Sequence, residues 1–104
     1  MSARCVSFVI PAFNEARYIA AAIASIQGAM EGSSLAYEII VVDDDSADAT
    51  AQIARQHGAV VIQVSRHNIA AVRNAGASKA RGESLIFVDA DTLVGPEVIQ
   101  EALG

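Results

Sequence analysis

The sequence predicts an α/β fold, an open and mainly parallel sheet flanked by helices. Two observations carry this reading. Short apolar, β-branched runs alternate with helical segments in the order β-α-β-α-β-α-β-α. Alternation of this kind implies parallel strands joined by right-handed crossovers. The composition agrees, since 53% of the 104 residues are hydrophobic, Ala, Val and Ile dominate, and aromatics reach only 5%. That is the balance of one folded domain in which β-branched strands lie between Ala-rich helices.

The strands are Cys5 to Ile10, Tyr37 to Val42, Ala59 to Val64 and Ser84 to Val88. Each is nearly continuous in apolar residues, as strands buried on both faces should be. Cys5 reads as a small core residue. Glu15 to Met30 places Ile19, Ile23, Ile26 and Met30 on one helical face. Asp48 to His57 is a shorter helix closed by Gly58, a natural C-cap. Ile69 to Ala80 is the third, and Pro96 fits the first turn of a fourth. Glu31 to Ala36, with Gly32, Ser33 and Ser34, reads as a flexible loop. A core of this size with so few aromatics is small, and an oligomer or partner surface is expected to complete it.

The net charge of −5 gives no nucleic-acid footprint. It still permits an anionic ligand, because a bound metal inverts local charge. One cysteine excludes a disulfide framework within the chain and fits a reducing, cytoplasmic compartment. No run approaches the ~20 apolar residues of a membrane span. The first residues show no signal peptide. A longer parent protein is free to associate with a membrane.

In an open parallel sheet, ligands bind beyond the carboxyl ends of the strands. The polar residues gather there. Pro11-Ala12-Phe13-Asn14-Glu15 follows the first strand. Asn14 is suited to cap the first helix, and Phe13 either faces a base or packs. Asp43-Asp44-Asp45-Ser46-Ala47-Asp48 follows the second. Ser46 or Asp48 is enough to cap a helix, so the surplus of carboxylates points to ligand acceptors or metal ligands. His67 reads as a surface residue after the third strand. Arg73, on the third helix, is either solvated or a fork for phosphate. Asp89-Ala90-Asp91-Thr92 follows the fourth strand. Two carboxylates there suit a hard divalent cation shared with substrate phosphates. Neither G-x-G-x-x-G nor the Walker A pattern occurs, so a glycine-rich phosphate cradle is not expected.

Together these segments resemble the family 2 glycosyltransferases. The matching runs are Val6 to Glu15, Glu38 to Ser46, Ala71 to Gly76 and Phe87 to Thr92, in the family's order and over nearly the whole chain. The resemblance implies the Rossmann-like, nucleotide-binding half of a GT-A fold. It implies a nucleoside diphosphate sugar, of UDP or GDP type, and Mn²⁺ or Mg²⁺ as cofactor. Pro11, Ala12, Phe13 and Glu15 would border the base and ribose, and Asp44 would accept a hydrogen bond from the base. Asp43 would support that loop, and Arg73 would lie near the diphosphate or ribose. Asp89 and Asp91 would form the DXD motif, with Asp91 the more direct metal ligand. Asp45 departs from the usual Gly or Asn and calls for a left-handed backbone. The family's enzymes continue into an acceptor-binding part that carries the general base of an inverting transfer. No residue here has a claim to that role, so a base beyond Gly104 is expected, and the stretch reads as a partial domain. The acceptor (a sugar, lipid or protein) is unspecified.

From Ile39 onwards the chain also looks like a phospho-receiver signalling domain, with an Mg²⁺-binding acidic cluster and Asp89 as phospho-acceptor. Against this, a complete β-α unit precedes the acidic strand, and the Pro11 to Glu15 and Arg73 to Gly76 segments have no purpose there. A nucleotidyltransferase of related fold would carry a Gly-rich, Arg/Lys-containing phosphate loop after the first strand, and this sequence has none there.

Overall fold

A computed structural model describes residues 5–103, with side chains as far as Gln100. Residues 1–4 and Gly104, on which the readings of a leader and of the chain's end rest, lie outside the described residues. The elements are β1 (Cys5–Ala12), α1 (Ile19–Met30), β2 (Ala36–Asp44), α2 (Thr50–Gln56), β3 (Val60–Val64), α3 (Ile69–Lys79), β4 (Ser84–Phe87) and α4 (Pro96–Leu103). The expected alternation is present.

The strands form one sheet in the order β3-β2-β1-β4, and every neighbouring pair is parallel. β1 pairs with β2 from Cys5↔Ala36 to Ala12↔Asp43. Alternate residues face opposite helical layers. Val6, Phe8 and Ile10 of β1, with Ile39 and Val41 of β2, meet Ile19, Ile23, Ile26 and Met30 of α1 in the larger core. Val9, Ile40 and Val42 meet Val72 of α3 in the smaller one. Each fully buried aliphatic side chain contributes about 1.5–3 kcal/mol relative to exposure. The α3 helix can lie on the sheet because of Gly76. A Cβ there would collide with Val9 and stand 2.8 Å from Val42 Cγ2.

Four boundaries differ from the sequence reading by two residues or more. β1 runs on to Ala12 and β2 to Asp44, so Pro11, Ala12, Asp43 and Asp44 belong to strands. Pro11 costs the sheet no hydrogen bond. Val88 N donates to Val9 O at 3.0 Å, so the odd residues of β1 turn their backbone polar groups towards β4. Pro11 lies beyond Val9↔Phe87, the last pair with that strand. The first helix begins at Ile19 instead of Glu15, because Glu15 closes a turn by accepting from Tyr18 N and Ile19 N at 2.9 Å each. The second begins at Thr50, not Asp48, and Gly58 follows it with the left-handed φ of +90°.

Burial on both faces holds for β1 and β2 but not for β3 and β4. The last two are edge strands with incomplete helical cover, and Val60, Leu85 and Phe87 are exposed. Cys5, expected in the core, is a half-buried free thiol at the start of β1. No described helix is long and apolar enough to cross a membrane.

Candidate functional site

At the carboxyl ends of the strands a cavity of about 630 Å³ opens to solvent. The end of β1 and the turn after it contribute Pro11, Ala12, Phe13 and Glu15. β2 contributes Asp44, and the segment after β4 contributes Asp89, Ala90 and Asp91. The β3–α3 turn and the start of α3 add His67, Asn68, Ile69 and Val72.

Buried alternation fixes the two aspartates after β4. Val88 and Ala90 are buried, which turns Asp89 and Asp91 outwards. Thr92 N donates to Asp89 O at 3.0 Å and closes the turn. Asp44 is nearly buried at the tip of β2. Its Oδ1 accepts from Arg66 N at 2.7 Å, and its Oδ2 accepts from His67 N at 3.0 Å. The carboxylate therefore ties β2 to the β3–α3 turn while its outer face borders the cavity. His67 takes a left-handed φ of +53°, and its Nε2 stands 4.0 Å from Asp45 Oδ2. Asp45 has the left-handed backbone that its position called for, with φ +60°.

The cavity is strongly acidic. Glu15, Asp44, Asp89 and Asp91 all line it, and no Lys or Arg among the described residues does. Burial raises the pKa of Glu15 above its usual value, and the charges of Asp91, Asp48 and Asp89 raise it further. An anion would be repelled here unless a cation came with it. Asp89 and Asp91 offer hard oxygen donors. No cluster of three or more His, Cys, Asp or Glu able to hold a metal occurs among the described residues. Two carboxylates, with water and substrate phosphate completing the shell, are the donor set that Mg²⁺ and Mn²⁺ accept. The residues present thus fit such an ion.

Two expected site residues lie off the cavity wall. Asp43 is buried beneath it, where Oδ1 accepts from Ser46 N at 3.3 Å. Arg73 extends along the α3 face, its guanidinium 5.7 Å from the centre of the Phe87 ring. Asn14 does not cap α1. Its Oδ1 accepts from Ala47 N at 2.8 Å, and α1 has no side-chain cap. His67 is exposed, as the sequence implies, yet it also borders the cavity, and the lining by Asn68, Ile69 and Val72 was not anticipated. A signal for this turn was available, because Asn68 precedes the apolar period and caps α3 by accepting from Ala71 N at 3.0 Å.

Residues 7–104 match the family model for glycosyl transferase family 2. The chain belongs to that family. The undecaprenyl-phosphate 4-deoxy-4-formamido-L-arabinose transferase of Pseudomonas fluorescens strain SBW25 is 36% identical over 112 residues, covering 96% of this chain and 33% of that protein. Mannosyl-3-phosphoglycerate synthase from Rubrobacter xylanophilus superimposes with a TM-score of 0.79 at 32% identity, over 88% of this chain and 32% of the other. Glucosyl-3-phosphoglycerate synthase from Mycobacterium tuberculosis, solved with Mn²⁺, uridine diphosphate and glucosyl-3-phosphoglycerate, gives 0.75 at 29% identity, over 93% and 37%. These structures are GT-A glycosyltransferases, and the open parallel four-stranded sheet flanked by helices seen here matches theirs. The chain spans about a third of the length of the relatives it matches. Family membership removes the phospho-receiver alternative.

Proposed function

We propose that this stretch forms the donor site of a metal-dependent family 2 glycosyltransferase. The donor is a nucleoside diphosphate sugar, with uridine favoured over guanosine as the base. One observation carries the reading: the cavity at the strand ends joins four carboxylates to an apolar wall, and no Lys or Arg among the described residues lines it. An anionic diphosphate fits such a place only together with a divalent cation. The Mycobacterium tuberculosis relative, solved with Mn²⁺ and uridine diphosphate, supports both the ion and the base.

Pro11, Ala12 and Phe13 flank the base and ribose, and Asp44 accepts from the base. Asp43 holds the Asp44–Ser46 loop from below through Ser46 N. Asp91 is the direct metal ligand, and Asp89 is shared between metal and donor. When bound, the ion neutralises charge developing on the departing nucleoside diphosphate. Arg73 reaches the diphosphate by leaving the Phe87 ring. Transfer is a single displacement with inversion. The general base and the acceptor site belong to the part of the relatives that this stretch does not span, so we do not assign transfer to these residues alone. Relatives named for undecaprenyl phosphate and dolichol phosphate support a lipid-linked acceptor and a place at a membrane surface.

Calorimetric titration with uridine diphosphate, with and without Mn²⁺, tests the proposal. The expected result is binding that needs Mn²⁺ and is lost in Asp44→Ala and Asp91→Ala. Metal-dependent binding that persists unchanged in Asp91→Ala would sink the metal assignment. Tighter binding of guanosine diphosphate would reverse the choice of base.

A further inference from the structure

The turn after β1 is fastened from outside its own helix. Three consecutive amides, those of Asn14, Glu15 and Ala16, each donate to a side chain of the β2–α2 segment. Asn14 N reaches Ser46 Oγ at 2.8 Å, Glu15 N reaches Thr50 Oγ1 at 2.9 Å, and Ala16 N reaches Asp48 Oδ2 at 3.1 Å. Asn14 Oδ1 returns a bond by accepting from Ala47 N. Thr50 is the buried centre of this clasp, with no exposed surface. Its hydroxyl donates to Asp48 Oδ1 and accepts from Glu15 N, so both its capacities are used. Asp48 Oδ1 also accepts from Thr50 N at 3.0 Å. Nothing in α1 offers an alternative anchor, because its N-terminus lacks a side-chain cap. The turns carry left-handed backbones at Asn14 and Asp45, which persist only where the surroundings hold them.

We infer that Thr50 is a positioning residue for the donor site. It does not itself line the cavity. It fixes the Glu15 amide, and so places Phe13 and Glu15 along the edge of the cavity. This rests on the donor-site reading above. A purely local role, that of stabilising the start of α2, would leave the β1–α1 turn and the nucleotide affinity untouched.

Amide hydrogen exchange followed by NMR, combined with uridine diphosphate titration in Mn²⁺, separates these roles. In Thr50→Val the amides of Asn14, Glu15 and Ala16 should exchange at least about tenfold faster, while those of Phe8, Ile10 and Val41 keep their protection. Nucleotide affinity should fall by a similar factor. Thr50→Ser, which keeps the hydroxyl, should restore both. Unchanged exchange at Glu15, a uniform loss of protection across β1 and β2, or full affinity with a loosened turn would each overturn the proposal. If Thr50→Val does not fold, Asn14→Ala, at an exposed residue, carries the same expectations. A wild-type protein that binds no nucleotide would overturn the donor-site reading and this role with it. That outcome is distinct from a variant that binds as well as wild type.

Discussion

Asp44 Oδ1 accepts the main-chain amide of Arg66 at 2.7 Å. One carboxylate thus serves two purposes: it closes the β3–α3 turn and it borders the cavity at the strand ends. Truncation in Asp44→Ala leaves the Arg66 and His67 amides without their acceptor, which costs about 1–3 kcal/mol. Urea unfolding should show that loss, and uridine diphosphate affinity should fall more than tenfold. Asp44→Asn retains an amide oxygen that can hold one of the two donors, so it should recover about half the stability. A folded Asp44→Asn that binds at wild-type strength would remove Asp44 from base recognition.

Arg73 lies over Phe87 and off the cavity wall. Its stacking at an exposed ring is worth about 0.5–1 kcal/mol, so Arg73→Ala should be only slightly less stable. If the guanidinium moves to the diphosphate when the donor binds, uridine diphosphate should weaken about tenfold in this variant while uridine is unaffected. Equal losses for both ligands would place Arg73 at the ribose. No loss for either would leave it as cover for β4.

Much of this was legible in the sequence because the strong signals are periodic. Val6 to Ile10 and Ile39 to Val42 are apolar runs that belong to the two central strands, and Ile19, Ile23, Ile26 and Met30 mark one buried helical face. The acids after the strands pointed to the edge where the cavity opens, since topology places that edge once the strands are parallel. The clasp was not legible. Asn14 and Asp48 both look like caps, and a cap and a cross-turn bond use the same side-chain oxygen. Which one forms depends on β1 and β2 being neighbours in register, Ala12 against Asp43, and pattern reading does not supply that pairing. Thr50 was overlooked for the same reason, because its partner Glu15 is 35 positions away. The edge strands β3 and β4 were read as fully buried because apolar content cannot distinguish a covered strand from a half-covered one.

Gly76 marks the closest approach of α3 to the sheet, and its replacement should be felt through packing. Alanine normally gains about 1 kcal/mol over glycine inside a helix. Here the added Cβ would strike Val9 and Val42, both buried side chains. Overpacking of this kind costs about 1–3 kcal/mol, which exceeds the gain from helix propensity. Gly76→Ala should therefore unfold at a lower urea concentration than wild type. Val72 rides on the same helix and Asn68 caps it, so nucleotide affinity should fall as well. A stabilised variant would mean that the helix lifts freely from β1 and β2.

Glu15 supplies the pH test. Burial, with the charges of Asp91, Asp48 and Asp89, raises its pKa above the usual carboxylate value. The folded state therefore disfavours ionised Glu15 more than the unfolded state does. Stability linked to this group is fully present below the unfolded pKa and is lost as pH rises through the folded one. Glu15→Gln removes that loss. In chelator, thermal unfolding should give the variant a higher melting temperature than wild type at pH 7, with the difference shrinking towards pH 4. Added Mn²⁺ should narrow the gap at pH 7, because a cation held by Asp89 and Asp91 attracts the Glu15 carboxylate that those residues repel when unliganded. A variant no more stable than wild type at pH 7 in chelator would show that solvent already screens the repulsion among the acids, and the electrostatic case for a metal ion at this site would be correspondingly weaker.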